Sequence, residues 1–132
     1  MRTAVDTSAI YAILNAEPTA KTWMNRLVEA RREGQLIVCD VVFAELAPAF
    51  ETQHQLESTL SKLGIAYEPI ESQAAFLAGR VFLEYRAHGG PRERMIPDFL
   101  VAAHAKVQAD RLAAADRGYL RTYFKSLTLL AI

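Results

Sequence analysis

Short apolar runs alternate with longer stretches of helical period along this chain. Thr3-Ala4-Val5 reads as a strand that stops at Asp6-Thr7-Ser8, three residues that favour caps and turns. Residues 9–14 then read as a short helix. Pro18 and Gly34 bracket a second helix, with Trp23, Leu27 and Ala30 as its apolar stripe. Leu36-Ile37-Val38-Cys39 is a branched, apolar run and reads as a buried strand. Residues 41–51 follow with helical period, kinked or divided at Pro48. Leu56, Leu60 and Leu63 mark a helix closed by Gly64, and Ile65-Ala66-Tyr67 a third strand. Residues 72–88 form a long helix with Leu77, Val81 and Tyr85 on one face, ended by Gly89-Gly90-Pro91. Pro97 opens a helix that runs to Ala109, with Leu100, Ala103 and Val107 facing inward. Residues 111–115 read as a fourth strand, 118–124 as a short helix and 127–132 as a last strand.

Strands alternating with helices imply parallel pairing and a three-layer α/β/α architecture with a short, mainly parallel central sheet. The strands lack polar alternation, which fits a sheet covered on both faces. Ligands of such sheets collect at the carboxyl ends of the strands, near a topological switch. A chain of 132 residues is one ordinary domain, 1–132, and 52% apolar residues suffice for a core. No apolar run approaches the ~20 residues of a membrane helix. Arg2 and Asp6 leave no room for a secretory stretch at the start, so a soluble cytoplasmic protein is expected. The single cysteine, Cys39, excludes an internal disulfide and reads as a small buried hydrophobe in a strand.

Fifteen basic and fifteen acidic residues balance to a net charge of zero, so the chain lacks the whole-molecule charge of a nucleic-acid binder. A polyanionic partner would need a local basic patch. Four acids stand out instead. Asp6 and Asp116 directly follow strands, Glu45 lies on a helix after one, and Asp98 lies on the first turn of another. Their neighbours are largely apolar, and a carboxylate in such company is costly to desolvate without a cation or several donors. Taken singly, Asp6 also reads as a helix cap, Asp98 as a partner of the helix macrodipole, and Asp116 as a turn residue. Taken together at one sheet edge, they would repel one another unless a hard divalent cation met them. Mg²⁺ or Mn²⁺ suits oxygen ligands and supports chemistry on phosphate.

Other constellations are poorer. Gly89-Gly90-Pro91 lacks the Lys-Ser/Thr of a phosphate loop, and His54, His88 and His104 have no zinc spacing. His104 reads as a polar helix position. Ser8 has no evident base beside it and suits holding Asp6 or a water better than attack. Arg86, His88, Arg92 and Arg94 flank the glycine pair, and Arg117 and Arg121 follow Asp116. These are either a solvated loop or a grip on phosphates. Tyr119, Tyr123 and Phe124 can stack on bases but read first as core. Phe76, Phe82 and Tyr85 exceed the needs of one helix face, which suggests pairing with a second copy.

The acid-bearing segments, taken in order, resemble the PIN domain, and within it the VapC-type toxins of bacterial toxin–antitoxin pairs. Val5-Asp6-Thr7-Ser8 is similar to the family's opening, and Val41-Val42-Phe43-Ala44-Glu45-Leu46-Ala47 to its second-acid helix. The most specific segment runs from Ile96-Pro97-Asp98-Phe99 to Ala103-His104-Ala105. Leu112-Ala113-Ala114-Ala115-Asp116-Arg117-Gly118-Tyr119 resembles the fourth-acid turn. Ala44 stands where the family often has Ser, and Ala114 where it often has Thr. The resemblance implies a metal-dependent endoribonuclease, a toxin that cuts cellular RNA. It also implies a cognate antitoxin that blocks the active-site groove, and a homodimer. On that reading Asp6, Glu45, Asp98 and Asp116 hold Mg²⁺ or Mn²⁺ for phosphodiester hydrolysis and Ser8 orders the water around them. Arg86, Arg92, Arg94 and Arg117 contact RNA. The alternative is a non-catalytic RNA- or protein-binding module on the same fold, with the acids as caps and ion-pair partners.

Overall fold

Strands β1 (Arg2–Val5), β2 (Gln35–Val38), β3 (Ile65–Tyr67), β4 (Arg111–Ala113) and β5 (Leu129–Leu130) form one parallel sheet, in the order β3-β2-β1-β4-β5. The computed structural model describes residues 1–89, 96–115 and 118–132, the side chains of Ile96 and Tyr119 excepted. Among them, seven α-helices flank the sheet: α1 (Thr7–Leu14), α2 (Ala20–Glu33), α3 (Asp40–Leu46), α4 (Gln53–Leu63), α5 (Ser72–Ala87), α6 (Ile96–Gln108) and α7 (Gly118–Tyr123). Ala4 lies at the centre of the ladder, level with Ile37 on one side and Leu112 on the other. The chain moves outward from β1 through β2 to β3, then returns to place β4 on the other side of β1. The direction of winding therefore reverses beside β1, which is where an open α/β sheet forms its crevice.

The strands are apolar through both faces. Ala4, Val5, Leu36, Ile37, Val38, Leu112 and Ala113 are all buried, as the missing polar alternation predicts. Thr3 is buried too, its hydroxyl accepting from Arg111 Nε at 2.9 Å. Trp23, Leu27 and Ala30 of α2 face the core as their spacing requires. Thr52 and Gln55 form a capping box at the start of α4, and Gly64 ends that helix at φ 74, in the left-handed region a glycine enters without strain. No helix among the described residues is long and apolar enough to cross a membrane.

Five expectations are corrected. The helix expected over 41–51 stops at Leu46 and continues as a 3₁₀ turn, Ala47–Ala49. Pro48 has no N–H for the carbonyl four residues back, and its ring crowds that carbonyl. The last strand is only Leu129–Leu130 rather than 127–132, and the fourth ends at Ala113. Cys39 is buried but sits just past β2, at the cap of α3, where burial pushes its thiol up to about 11. In α6, Leu100 and Val107 are only half-buried, whereas Phe99, Val101, Ala102, Ala103, His104 and Ala105 are buried. A one-stripe pattern assumes one covered face; α6 packs against α5, α3, β1 and β4 at once, and its alanines permit that close approach. Phe99 is the centre of an aromatic cluster with Tyr85 at 5.3 Å, Phe124 at 5.8 Å and Tyr123 at 6.0 Å. Tyr123 and Phe124 are thus part of the core; the Tyr119 side chain lies outside the described residues.

Candidate active site

Asp6 ends β1 at the reversal of winding. Its amide donates to Ala113 O at 2.9 Å, which carries the β1–β4 pairing one residue past the strands. Its carboxylate caps α1: Oδ2 accepts from the Ser8 amide at 3.1 Å and from Ser8 Oγ at 2.5 Å. The cap reading of Asp6 therefore holds. A cap normally faces solvent, but Asp6 is only 5% exposed. Ser8 Oγ also accepts from the Ala115 amide at 3.2 Å, so this hydroxyl ties Asp6 to the chain leaving β4.

Glu45 reaches the same corner from α3. Its Oε1 accepts from Thr7 Oγ1 at 2.7 Å, and its backbone carbonyl accepts from the Tyr11 hydroxyl at 2.8 Å. Thr7 and Tyr11 lie one turn apart on α1, so a single helix face seats α3. Neither residue was expected at the site. The signal for Thr7 was its place beside Asp6; nothing local marks Tyr11, because its partner is 34 positions away. Glu45 is solvent-exposed, and among the described residues no cation lies within ion-pairing distance of it.

Asp98 occupies the first turn of α6, partly buried. That helix runs back toward the start of β4, so its first turn lies toward the carboxyl edge of the sheet, and its body packs on α3 and β1. Asp6 and Glu45 are thus brought to one corner through consecutive residues of α1, with Asp98 on a helix that packs against both of their elements. Among the described residues, no group of three or more His, Cys, Asp or Glu side chains is placed so as to hold a metal ion. Asp116, Arg117, Arg92 and Arg94 lie outside the described residues. Arg86 is exposed near the end of α5, its guanidinium 6.0 Å from the centre of the Phe82 ring.

His104 departs from the expected polar helix position. It is fully buried, with Nε2 3.6 Å from Glu68 Oε2 and no hydrogen-bond partner on either ring nitrogen among the described residues. Burial pulls its pKa below 6.5, and the Glu68 carboxylate pulls the other way but less strongly. Glu68 itself pairs with Arg2 and accepts from Gln108 Nε2 at 3.3 Å. This polar group ties β1, the end of β3 and the end of α6 together.

Comparison with known proteins agrees with this fold. The PIN domain family model matches residues 3–125. A search of curated proteins found no match. Among solved structures, VapBC2 from Rickettsia felis, crystallised with a DNA fragment from the promoter, is similar with a TM-score of 0.74 and 19% identity, covering 99% of this chain and 98% of that one. VapBC-1 from nontypeable Haemophilus influenzae aligns at 0.70 with 18% identity over 99% and 98%. DNA-bound VapBC from Salmonella typhimurium aligns at 0.64 with 16% identity over the same shares.

Proposed function

The chain belongs to the PIN-domain family, and from that premise we propose that it is a metal-dependent endoribonuclease, the VapC-type toxin of a toxin–antitoxin pair. One observation carries the reading. Asp6 is buried at the carboxyl end of the central strand and oriented by Ser8, while Glu45 is drawn to the same corner by Thr7. Oxygen donors alone fit Mg²⁺ or Mn²⁺ rather than zinc. Asp6, Glu45 and Asp98 are the residues that would hold the ion, with Asp116 completing the set. Such an ion, when bound, polarises a phosphoryl oxygen and acidifies water. Ser8 keeps Asp6 in one orientation, and Thr7 does the same for Glu45, so neither carboxylate needs to reorganise during turnover. In-line attack of water on phosphorus breaks the bond to O3′ and leaves 5′-phosphate and 3′-hydroxyl ends. Arg86, Arg92, Arg94 and Arg117 are the candidates for holding the RNA backbone. The protein acts in the cytoplasm as a single domain, 1–132, held inactive by an antitoxin that covers the acidic corner.

A homodimer belongs to this proposal. Phe76 and Leu83 of α5 are 66% and 59% exposed, whereas Tyr85 turns inward against Phe99 and Tyr123. The surface that pairs is therefore the Phe76–Leu83 side of the helix. Light scattering of Phe76→Glu is expected to give a monomer where the parent is a dimer.

The rival reading is a non-catalytic RNA- or protein-binding module, with the acids as caps and ion-pair partners. Titration with Mn²⁺ separates the two. A true site raises the melting temperature with [Mn²⁺] by linkage, and Asp6→Asn abolishes that rise. RNA cleavage should require Mg²⁺ or Mn²⁺ and stop with EDTA. Unchanged melting in Mn²⁺ together with chelator-resistant cleavage would remove the metal from the account.

A further inference from the structure

α1 holds Glu45 at two points. Ala9, Ile10 and Ala12 fix this helix in the core, while Thr7 and Tyr11, one turn apart, stay half-buried and reach toward α3. Thr7 Oγ1 donates to the Glu45 carboxylate at 2.7 Å, and the Tyr11 hydroxyl donates to the Glu45 carbonyl at 2.8 Å. The second contact answers a specific deficit. Inside α3 each carbonyl accepts from the N–H four residues on, and the Ala47 N–H still makes that bond to Phe43 O. Beyond it the chain tightens into the 3₁₀ turn Ala47–Ala49, where carbonyls accept from three residues on, as Ala47 O does from Phe50 N at 3.0 Å. For Glu45 the residue three positions on is Pro48, which has no N–H. The turn therefore offers the Glu45 carbonyl no donor in its own register, and Tyr11 supplies one from another helix. The N–H of Glu45 needs no such help, because it lies inside the bonded turns of α3.

We propose that Tyr11 is a positioning residue for the acidic corner, its hydroxyl fixing the backbone of Glu45 where α3 ceases to do so. The inference rests on the metal-dependent reading given above. A glutamate side chain is long and flexible, so a hydrogen bond to its head sets the carboxylate in space only if the backbone beneath it is also fixed. Thr7 aims the carboxylate, and Tyr11 anchors its root. Both donors belong to the helix that Asp6 caps, so one element seated in the core sets the spacing between the Asp6 and Glu45 carboxylates. Partners one step removed from a metal tune its affinity by holding its ligands in place. Tyr11 would act in that way, through Glu45 alone.

The test compares the parent, Tyr11→Phe, Glu45→Gln and the double variant of the full chain. Each is melted with and without a fixed concentration of Mn²⁺ and assayed for RNA cleavage across a Mn²⁺ series. Tyr11→Phe keeps the ring and removes one donor at the surface, so the variant should fold, with melting lowered by a few degrees at most. The Mn²⁺ concentration for half-maximal cleavage should rise about fivefold, the worth of one hydrogen bond, with KM for RNA little changed. The gain in melting temperature on adding Mn²⁺ should shrink by the same linkage. A tyrosine that only packs α1 on α3 would lower melting equally with and without Mn²⁺ and leave that gain intact. In the Glu45→Gln background, Tyr11→Phe should reduce the gain no further. If the parent responds to Mn²⁺ and Tyr11→Phe responds identically, this inference alone is overturned. The same holds if Tyr11→Phe still reduces the gain when Glu45 is already glutamine. A parent with no Mn²⁺ response in melting or cleavage overturns this inference together with the metal reading.

Discussion

Asp6 and Glu68 each follow a strand of the same sheet, yet they are held in opposite ways. Glu68 pairs with the Arg2 guanidinium, accepts from Gln108 and lies beside buried His104. Asp6 receives the amide and hydroxyl of Ser8 on Oδ2, and its neighbour Thr7 hydrogen-bonds Glu45. A guanidinium cancels the charge it meets and joins distant chain segments. Hydroxyl and amide dipoles aim a carboxylate. The first arrangement serves the fold, and the second suits the metal-holding role proposed for Asp6.

The sharpest way to break that comparison is to neutralise each acid in turn. Asp6→Asn keeps a good cap residue, so melting should move little while RNA cleavage falls about 100-fold, roughly 2.7 kcal/mol of transition-state stabilisation. Glu68→Gln should do the reverse, leaving cleavage within about twofold at a stability cost of roughly 1 kcal/mol. Parallel cleavage and melting measurements decide, and a folded but inactive Glu68→Gln would collapse the distinction.

Thr7→Val preserves the shape of the side chain and removes its hydrogen bond to Glu45. A loss in kcat of about tenfold is expected, with KM little changed, since the bond positions a carboxylate rather than binding substrate. An unaltered kcat would mean that Thr7 merely packs α1 on α3.

Arg2→Met tests the other region. The pair is about one-third exposed on each side, which screens it, so a cost of about 1 kcal/mol and a few degrees in melting temperature is expected, with cleavage intact.

The smallest effect concerns pH. Burial holds His104 neutral in the fold below 6.5, where the unfolded chain takes up a proton. The unfolded state then binds more protons, so the contribution of His104 is complete above pH 6.5 and declines as pH falls below it. Urea titrations of His104→Leu between pH 5 and 7 should show a flatter stability profile than the parent. An unchanged profile would show that the ring does not titrate differently on folding.

Much of this arrangement was legible from local pattern. The branched runs at β1, β2 and β3, the Trp23-Leu27-Ala30 stripe and the Gly64 stop are properties of neighbours in sequence, and the fold keeps them. The reading of α6 failed on its inward face because its alanines look like filler until α5, α3 and the sheet close around them. His104 looked polar for the same reason. Thr7 was visible only as a companion of Asp6. Tyr11 had no local mark at all, since a tyrosine one turn along a short helix is ordinary until α3 crosses it.

Residue order alone determined that apolar strands alternate with helices, that their sheet is parallel and covered on both faces, and that acids stand where strands give way to helices. These follow from side-chain volume, backbone preference and the cost of burying polar groups, all of which act within a few residues. Which acids share a corner was decided only in three dimensions. Thr7 meets Glu45 across 38 positions because β2 packs beside β1 and sends α3 over α1. That adjacency is a property of the packed sheet, and no local preference encodes it.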